Sequence, residues 1–353
     1  MSMRVTTSMI AGNYSSNLQS LQNTLNVKLN HAYTYRAFDK ASDNPLKASE
    51  AFQIQWEMDL NSQYQNNLSN ETSSAKTADS ILVNVEEALS SANSTSMLQG
   101  ITGTMSQTDR NALAKQIEGY RDSIISEMNS QFADQYLFAG RGSSAPFSVS
   151  QDADGNDVIL YRGVNVDTGL DSDGNSVDLS NLANEANYVD IGLGMSYDSS
   201  GKIVPQSAYN SSMPGISFLG YGTTQETNSE GNSVSVPKNL LSILNQVAND
   251  LKNPNLSGQD LMNAVNPLMS SFNSSYDGFL TQQAKVGTNV DFLDDTSSYI
   301  QNMSTNLADK DNQVEYVDPA NAILDYTQTQ YSYNAALQAG TMILQKTLMD
   351  FLN

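Results

Sequence analysis

Apolar residues fall at Ile10, Tyr14, Leu18, Leu21, Leu25 and Leu29. Gaps of three and four residues place them on one face of a helix. A polar stretch follows and ends at Asp43-Asn44-Pro45, where an Asx residue ahead of a proline at the first helical position predicts a new start. Neither glycine nor a second proline interrupts the chain from there to Leu98. Leu68, Glu71, Ala75, Ala78, Leu82, Val85, Leu89 and Ala92 alternate the same gaps, the heptad seam of a coiled coil. Gly100 and Gly103 break the pattern, and Thr108 or Asp109 is placed to cap a return helix whose stripe is Leu113, Ile117, Tyr120, Ile124 and Phe132. A short connection between long helices predicts an antiparallel pair.

Beyond Gly140 the pattern changes. Asp154-Gly155-Asn156, Asp173-Gly174-Asn175 and Ser200-Gly201 recur between short β-prone runs such as 158–161 and 188–191, and these are hairpin turns, because Gly and Asn accept positive φ. Helical spacing returns with Leu240, Leu241, Leu244, Val247 and Leu251, breaks at Pro254 and Gly258, and resumes to about Leu307. Asp318-Pro319 repeats the Asx-Pro start, and Ile323, Tyr326, Tyr333, Leu337, Gly340, Leu344, Leu348 and Phe351 form a closing stripe. The predicted fold is mainly α with a β-rich insert. Residues 1–43 form an N-terminal assembly helix and linker, 44–142 a long helical hairpin, 143–236 the β-rich outer domain, 237–317 returning helices, and 318–353 a C-terminal assembly helix.

Charge sharpens the picture at the two ends. Residues 1–35 carry only Arg4 and Lys28, and residues 319–353 only Asp325, Lys346 and Asp350. A helix facing water on its outer side normally carries more, so both are expected to be surrounded by protein. Each is marginal alone, and the expectation is that they order by packing on each other and on neighbouring subunits. The whole chain is acidic, with a net charge of −21, which disfavours nucleic acid and anionic membrane as partners. It lacks cysteine, which removes disulfides and thiolate chemistry. The first residues have no apolar core of the length a cleaved secretion signal needs.

Candidate chemistry is sparse. Asp152, Asp154, Asn156 and Asp157 bring oxygen donors together, yet Leu160, Tyr161 and Arg162 follow where a calcium loop needs further acidic ligands, so a turn is the preferred reading over weak ion binding. His31 is the only histidine and is read as a helix-end residue, which leaves no triad or histidine metal pair. Asp294-Asp295 reads as a solvated helix face, and Trp56 as a core or interdomain anchor. No enzyme, cofactor or metal is expected. The candidate functional residues are the assembly stripes: Ile10, Tyr14, Leu18, Leu21 and Leu25 at one end, and Tyr333, Leu337, Leu344, Leu348 and Phe351 at the other.

Several motifs in this order resemble the flagellin superfamily. They are Met3-Arg-Val-Thr-Thr-Ser-Met9, Arg36 through Ala41-Ser-Asp-Asn-Pro45, Tyr136-Leu-Phe-Ala-Gly140 with Pro146-Phe147, Asn334-Ala-Ala-Leu-Gln-Ala-Gly340, and Leu348-Met-Asp-Phe-Leu352. Asn44 stands where that family usually has a second acid. The resemblance covers roughly 1–147 and 255–353 and is strongest to the superfamily's branch at the junction of hook and filament. It implies an axial structural subunit of the bacterial flagellum, secreted without signal cleavage, with a coiled coil of the terminal helices at its centre. The implied partners are a hook-associated junction protein on the hook side, flagellin, an export chaperone that masks the C-terminal helix, and copies of itself in a homo-oligomeric ring. Flagellin itself, and a surface adhesin with a ligand-binding β domain, are the alternatives.

Overall fold

The computed structural model describes residues 7–93, 105–152 and 155–352, with side chains for 9–93, 105–152 and 155–342. Its helices are α1 (Thr7–Thr34), α2 (Pro45–Ser91), α3 (Gln107–Met128), α4 (Leu179–Ala183), α5 (Gly215–Leu219), α6 (Leu240–Lys252), α7 (Gln259–Glu315) and α8 (Pro319–Leu352). The chain divides into two compact units, one of residues up to 63 and from 301 onward, the other of 64–300.

The helix starts follow from their caps. Asn44 Oδ1 accepts the Lys47 N–H at 3.2 Å and Asp318 Oδ1 accepts the Asn321 N–H at 2.9 Å, each ahead of a proline whose missing N–H costs nothing at that position. The cap of α3 differs from the expected Thr108 or Asp109. Ser106 fills it, its Oγ accepting the Asp109 N–H at 3.3 Å and donating to the Asp109 carboxylate at 2.7 Å. A hydroxyl at the cap with an acid three residues on satisfies the first turn, which moves the start upstream.

Within the 64–300 unit, the seam residues Leu82, Val85 and Leu89 share one apolar core with Ile117 and Ile124 of α3 and with Phe272 and Phe279 of α7. Gly100 and Gly103 lie outside the described residues. Helix α2 has a further neighbour besides the return helix with which it shares this core. Hydrogen bonds tie Lys76 to Asp294, Glu86 to Gln283 and Asn93 to Asn273, so residue numbers fall along α7 as they rise along α2 and the two run antiparallel. Helix α3 also lies along α6. The cause is visible in α6, where Leu240, Leu241, Ile243, Leu244, Val247, Ala248 and Leu251 are all buried. A helix with so broad an apolar face, leaving only the side of Gln246, Asn249 and Lys252 to water, must be largely enclosed.

The strands are β1 (Gln131–Phe132), β2 (Gln135–Tyr136), β3 (Phe147–Gln151), β4 (Asp157–Tyr161), β5 (Val164–Asn165), β6 (Tyr188–Val189), β7 (Tyr209–Asn210), β8 (Thr223–Thr227) and β9 (Ser233–Pro237). They pair antiparallel as β1-β2, β3-β4-β5, β6-β7 and β8-β9. Phe132 therefore lies in a hairpin rather than on the α3 stripe, because Ala133 and Asp134 take φ of +48° and +62° and turn the chain back. One local device recurs four times: Asp152, Asp171, Asp198 and Asn228 each use a side-chain oxygen to accept the N–H four residues on, around Gly155, Gly174, Gly201 and Gly231 at positive φ. The short Asx side chain stands in for a backbone acceptor and closes the loop.

The Phe-Ala-Gly motif is the joint between helix and strands. Phe138 and Ala139 are fully buried, the Gly215 N–H donates to the Phe138 carbonyl at 2.7 Å, and the Tyr161 hydroxyl donates to the same carbonyl at 3.1 Å. Asn129 then clamps Phe147 by both its N–H and its carbonyl, at 2.9 and 2.8 Å.

Candidate assembly interface of the terminal helices

Helices α1 and α8 lie side by side. The Tyr14 hydroxyl donates to the Ala336 carbonyl at 3.0 Å, and Lys28 Nζ meets Asp325 Oδ2 at 2.6 Å. Position 14 beside 336 and position 28 beside 325 make the pair antiparallel. On α1 the facing residues are Tyr14, Leu18, Leu21 and Leu25, all half-buried. On α8 they are Ala322, Tyr326, Thr329, Tyr333, Ala336 and Gly340, at alternating gaps of four and three. A Cβ on Gly340 would stand 2.0 Å from the Tyr14 hydroxyl oxygen and 2.3 Å from its ring carbon Cζ. Close approach therefore rests on the absence of a side chain there. The exposed ion pair contributes little by itself.

Two candidate assembly residues do not face this seam. Ile10 is 43% exposed and Leu337 is 41% exposed. Consecutive helical residues are turned about 100° apart, so once small Ala336 and Gly340 occupy the facing positions, Leu337 points elsewhere. Ile323 is likewise outward. The side chains of Leu344, Leu348 and Phe351 lie outside the described residues. Sequence reasoning placed Gly340 on the closing stripe but chose large apolar residues as the assembly candidates and passed over Ala336; the small residues Ala335, Ala336, Ala339 and Gly340 were the available signal. The remaining surface of the pair is mostly polar and nearly uncharged, with Met9, Val27, Leu29 and Tyr33 standing exposed among the polar residues of α1 and Leu324, Tyr331 and Met342 among those of α8.

Other candidates resolve into structural roles. Trp56 is 63% exposed, which corrects its reading as an anchor: the buried face of α2 there runs Ala48, Ala51 and Ile54, and Trp56 lies two residues off it, on another side of the helix. His31 sits half-buried in the last turn of α1, its carbonyl accepting the Tyr35 N–H at 2.8 Å. Asp294 is exposed and pairs with Lys76. Asp154 lies outside the described residues, while the Asp152 carboxylate takes both the N–H and the side-chain amide of Asn156 at 2.8 and 3.2 Å. Among the described residues no group of three or more His, Cys, Asp or Glu side chains gathers to hold a metal, and no helix is long and apolar enough to cross a membrane. A polar groove in the 64–300 unit is lined by Asp152, Asp157, Asp167, Ser242 and Asn245; burial pushes the Asp167 carboxyl up to about 6.

The described residues thus combine long helices, a pair of terminal helices and an insert of small hairpins. Residues 5–143 match the family described as the bacterial flagellin N-terminal helical region. Among individual proteins, the chain is similar to flagellar hook-associated protein 3 of Salmonella typhimurium, 31% identical over 150 residues that cover 41% of this chain and 46% of that one. It is also similar to the protein of that name from Escherichia coli K12, 33% identical over 109 residues covering 30% and 34%. The matched stretches thus span less than half of either relative. The fold is shared with a solved putative flagellar hook-associated protein from Vibrio parahaemolyticus, at a TM-score of 0.55, 18% identity and coverage of 78% of this chain and 100% of that one. A FlgL structure from Xanthomonas campestris gives 0.50, 14%, 73% and 98%.

Proposed function

We propose that this chain is a structural axial subunit of the bacterial flagellum, joining a hook-associated junction protein on the hook side to the flagellin filament. The observation that carries the reading is the α1/α8 pair, held in register by Tyr14 and Gly340 yet leaving Ile10, Leu337 and Met342 open to solvent. A nearly uncharged helix pair that leaves several large apolar side chains in water is a surface to be covered by further protein. The relatives are named flagellar hook-associated proteins, which supports other flagellar subunits as what covers it. In this reading copies form a homo-oligomeric ring, the chain leaves the cell through the flagellum without signal cleavage, and a chaperone covers α8 beforehand to prevent early polymerisation.

The test adds purified chain to hooks that carry the hook-side junction protein but no filament, followed by flagellin. The expected result is a short zone of bound chain beyond which flagellin grows. Long filaments grown from this chain alone would make it the filament subunit instead. Glycan binding by the intact chain, lost on changes within 143–236 and with no attachment to hooks, would make it an adhesin.

A further inference from the structure

The terminal helices join α2 and α7 through two short connectors, residues 35–44 and 316–318. These connectors are zipped to each other. The Val317 N–H donates to the Tyr35 carbonyl at 2.9 Å, the Ala37 N–H donates to the Glu315 carbonyl at 2.7 Å, and Arg36 lies opposite Tyr316 in an antiparallel bridge. Tyr35 turns the chain at φ +57°, a region side chains other than glycine seldom enter. Glu315, the last residue of α7, closes the arrangement. Its side chain is 9% exposed, with Oε1 accepting from Gln55 Nε2 of α2 at 2.6 Å and Oε2 from Arg36 Nη2 at 3.1 Å. One turn earlier, Asp311 has a buried carboxylate oxygen with no hydrogen-bond partner, under the fields of both Glu315 and Arg36.

We propose that Glu315 is a positioning residue for assembly, which holds one connector and α2 to the end of α7 and so gives the terminal pair a single direction of exit. The proposal rests on the assembly reading above. The carboxylate bonds to both segments, to Arg36 of the connector and to Gln55 of α2. Without it the connectors keep two backbone hydrogen bonds, each worth only about 1 kcal/mol net, and the packing of Phe38 against Ala51, Ile54, Leu307 and Val314, which is non-directional and selects no single orientation. Charge-assisted bonds from a nearly buried carboxylate are the stronger kind. Arg36 also serves as the cation between two carboxylates, so its loss leaves Asp311 and Glu315 facing each other unscreened.

Because the chain has no cysteine, introduced thiols are the sole labelling sites. Spin labels on Asn17→Cys and Gln53→Cys in the full chain measure the distance from α1 to α2, and a second pair on Asn17→Cys and Gln328→Cys reports whether α1 and α8 stay together. The expected result is one narrow α1-to-α2 distance in the parent, its loss in Glu315→Ala, and its return in Arg36→Glu/Glu315→Arg, with the α1-to-α8 distance unchanged throughout. Attachment to hooks should fall roughly tenfold in Glu315→Ala, the size of one charge-assisted bond, and recover in the exchanged pair. A narrow distance retained in Glu315→Ala overturns the proposal, as does undiminished attachment when the distance broadens. A parent chain that never attaches overturns the assembly reading, and is told apart because the distances still respond.

Discussion

Two carboxyls in the 64–300 unit, Asp167 and Asp250, are pushed up to about 6 by burial. Their folded values lie above the unfolded value of 3.8, so the folded state holds more protons between the two. Their contribution is therefore fully present below about pH 4 and is lost as pH rises through about 6. Asp171 and Asp198 go the other way, held low by hydrogen bonds, chiefly from the Asn175 backbone and the Ser200 side chain respectively. Replacing Asp167 with Asn should raise the melting temperature at pH 7 and flatten its slope between pH 4 and 6. Thermal unfolding across that range, compared with the parent, checks this; equal slopes would count against it. At the helix seam the sensitive position is Gly340. Gly340→Ala forces the Tyr14 ring aside, with an overpacking cost of about 1–3 kcal/mol. Hydrogen exchange of residues 10–25 should speed up in that variant and slow again when Tyr14→Ala is added.

Among the elements, α6 depends most on one residue. Asn239 is fully buried, its Oδ1 accepting the Leu241 and Ser242 N–H groups at 3.1 and 3.2 Å while its amide donates to the Gly220 carbonyl at 2.7 Å. Asn239→Ala removes the cap and orphans a half-buried carbonyl, a loss of about 2 kcal/mol that urea unfolding would read as a lower midpoint at unchanged slope. The elements show where sequence was sufficient. Leu68, Leu82, Val85 and Leu89 were legible because an uninterrupted heptad pattern has one physical solution, and the Asx-Pro starts at 45 and 319 because local hydrogen bonds decide them. What could not be read was partnership. Nothing local in α2 states that an antiparallel neighbour lies some two hundred residues on in α7, since Lys76–Asp294 and Glu86–Gln283 are ordinary surface pairs. The Trp56 reading failed through size: a large aromatic suggested a core, while the face it occupies was set by small Ala48 and Ala51. Leu337 turns away from the α1 seam because small Ala336 and Gly340 occupy the facing positions.

On the scale of the whole molecule, the outward apolar residues of the terminal pair should matter to assembly and not to folding. Combining Ile10→Ser, Leu337→Ser and Met342→Ser changes side chains that are already solvated, so the melting temperature of the monomer should stay within a few degrees of the parent, while attachment to hooks is lost. Unchanged attachment, scored by electron microscopy, would remove this surface from the interface. The way contacts are distributed along the chain also sets an order of events in time. Each sheet pairs strands nearby in sequence, and four of the loops are tied by their own Asx side chains, so these hairpins can close within about 1–10 μs. Tyr14 and Ala336, by contrast, are 322 residues apart, and bringing them together carries the largest chain-entropy cost of the contacts described. A chain that starts unfolded would thus close its hairpins almost at once, and its two ends would find each other last.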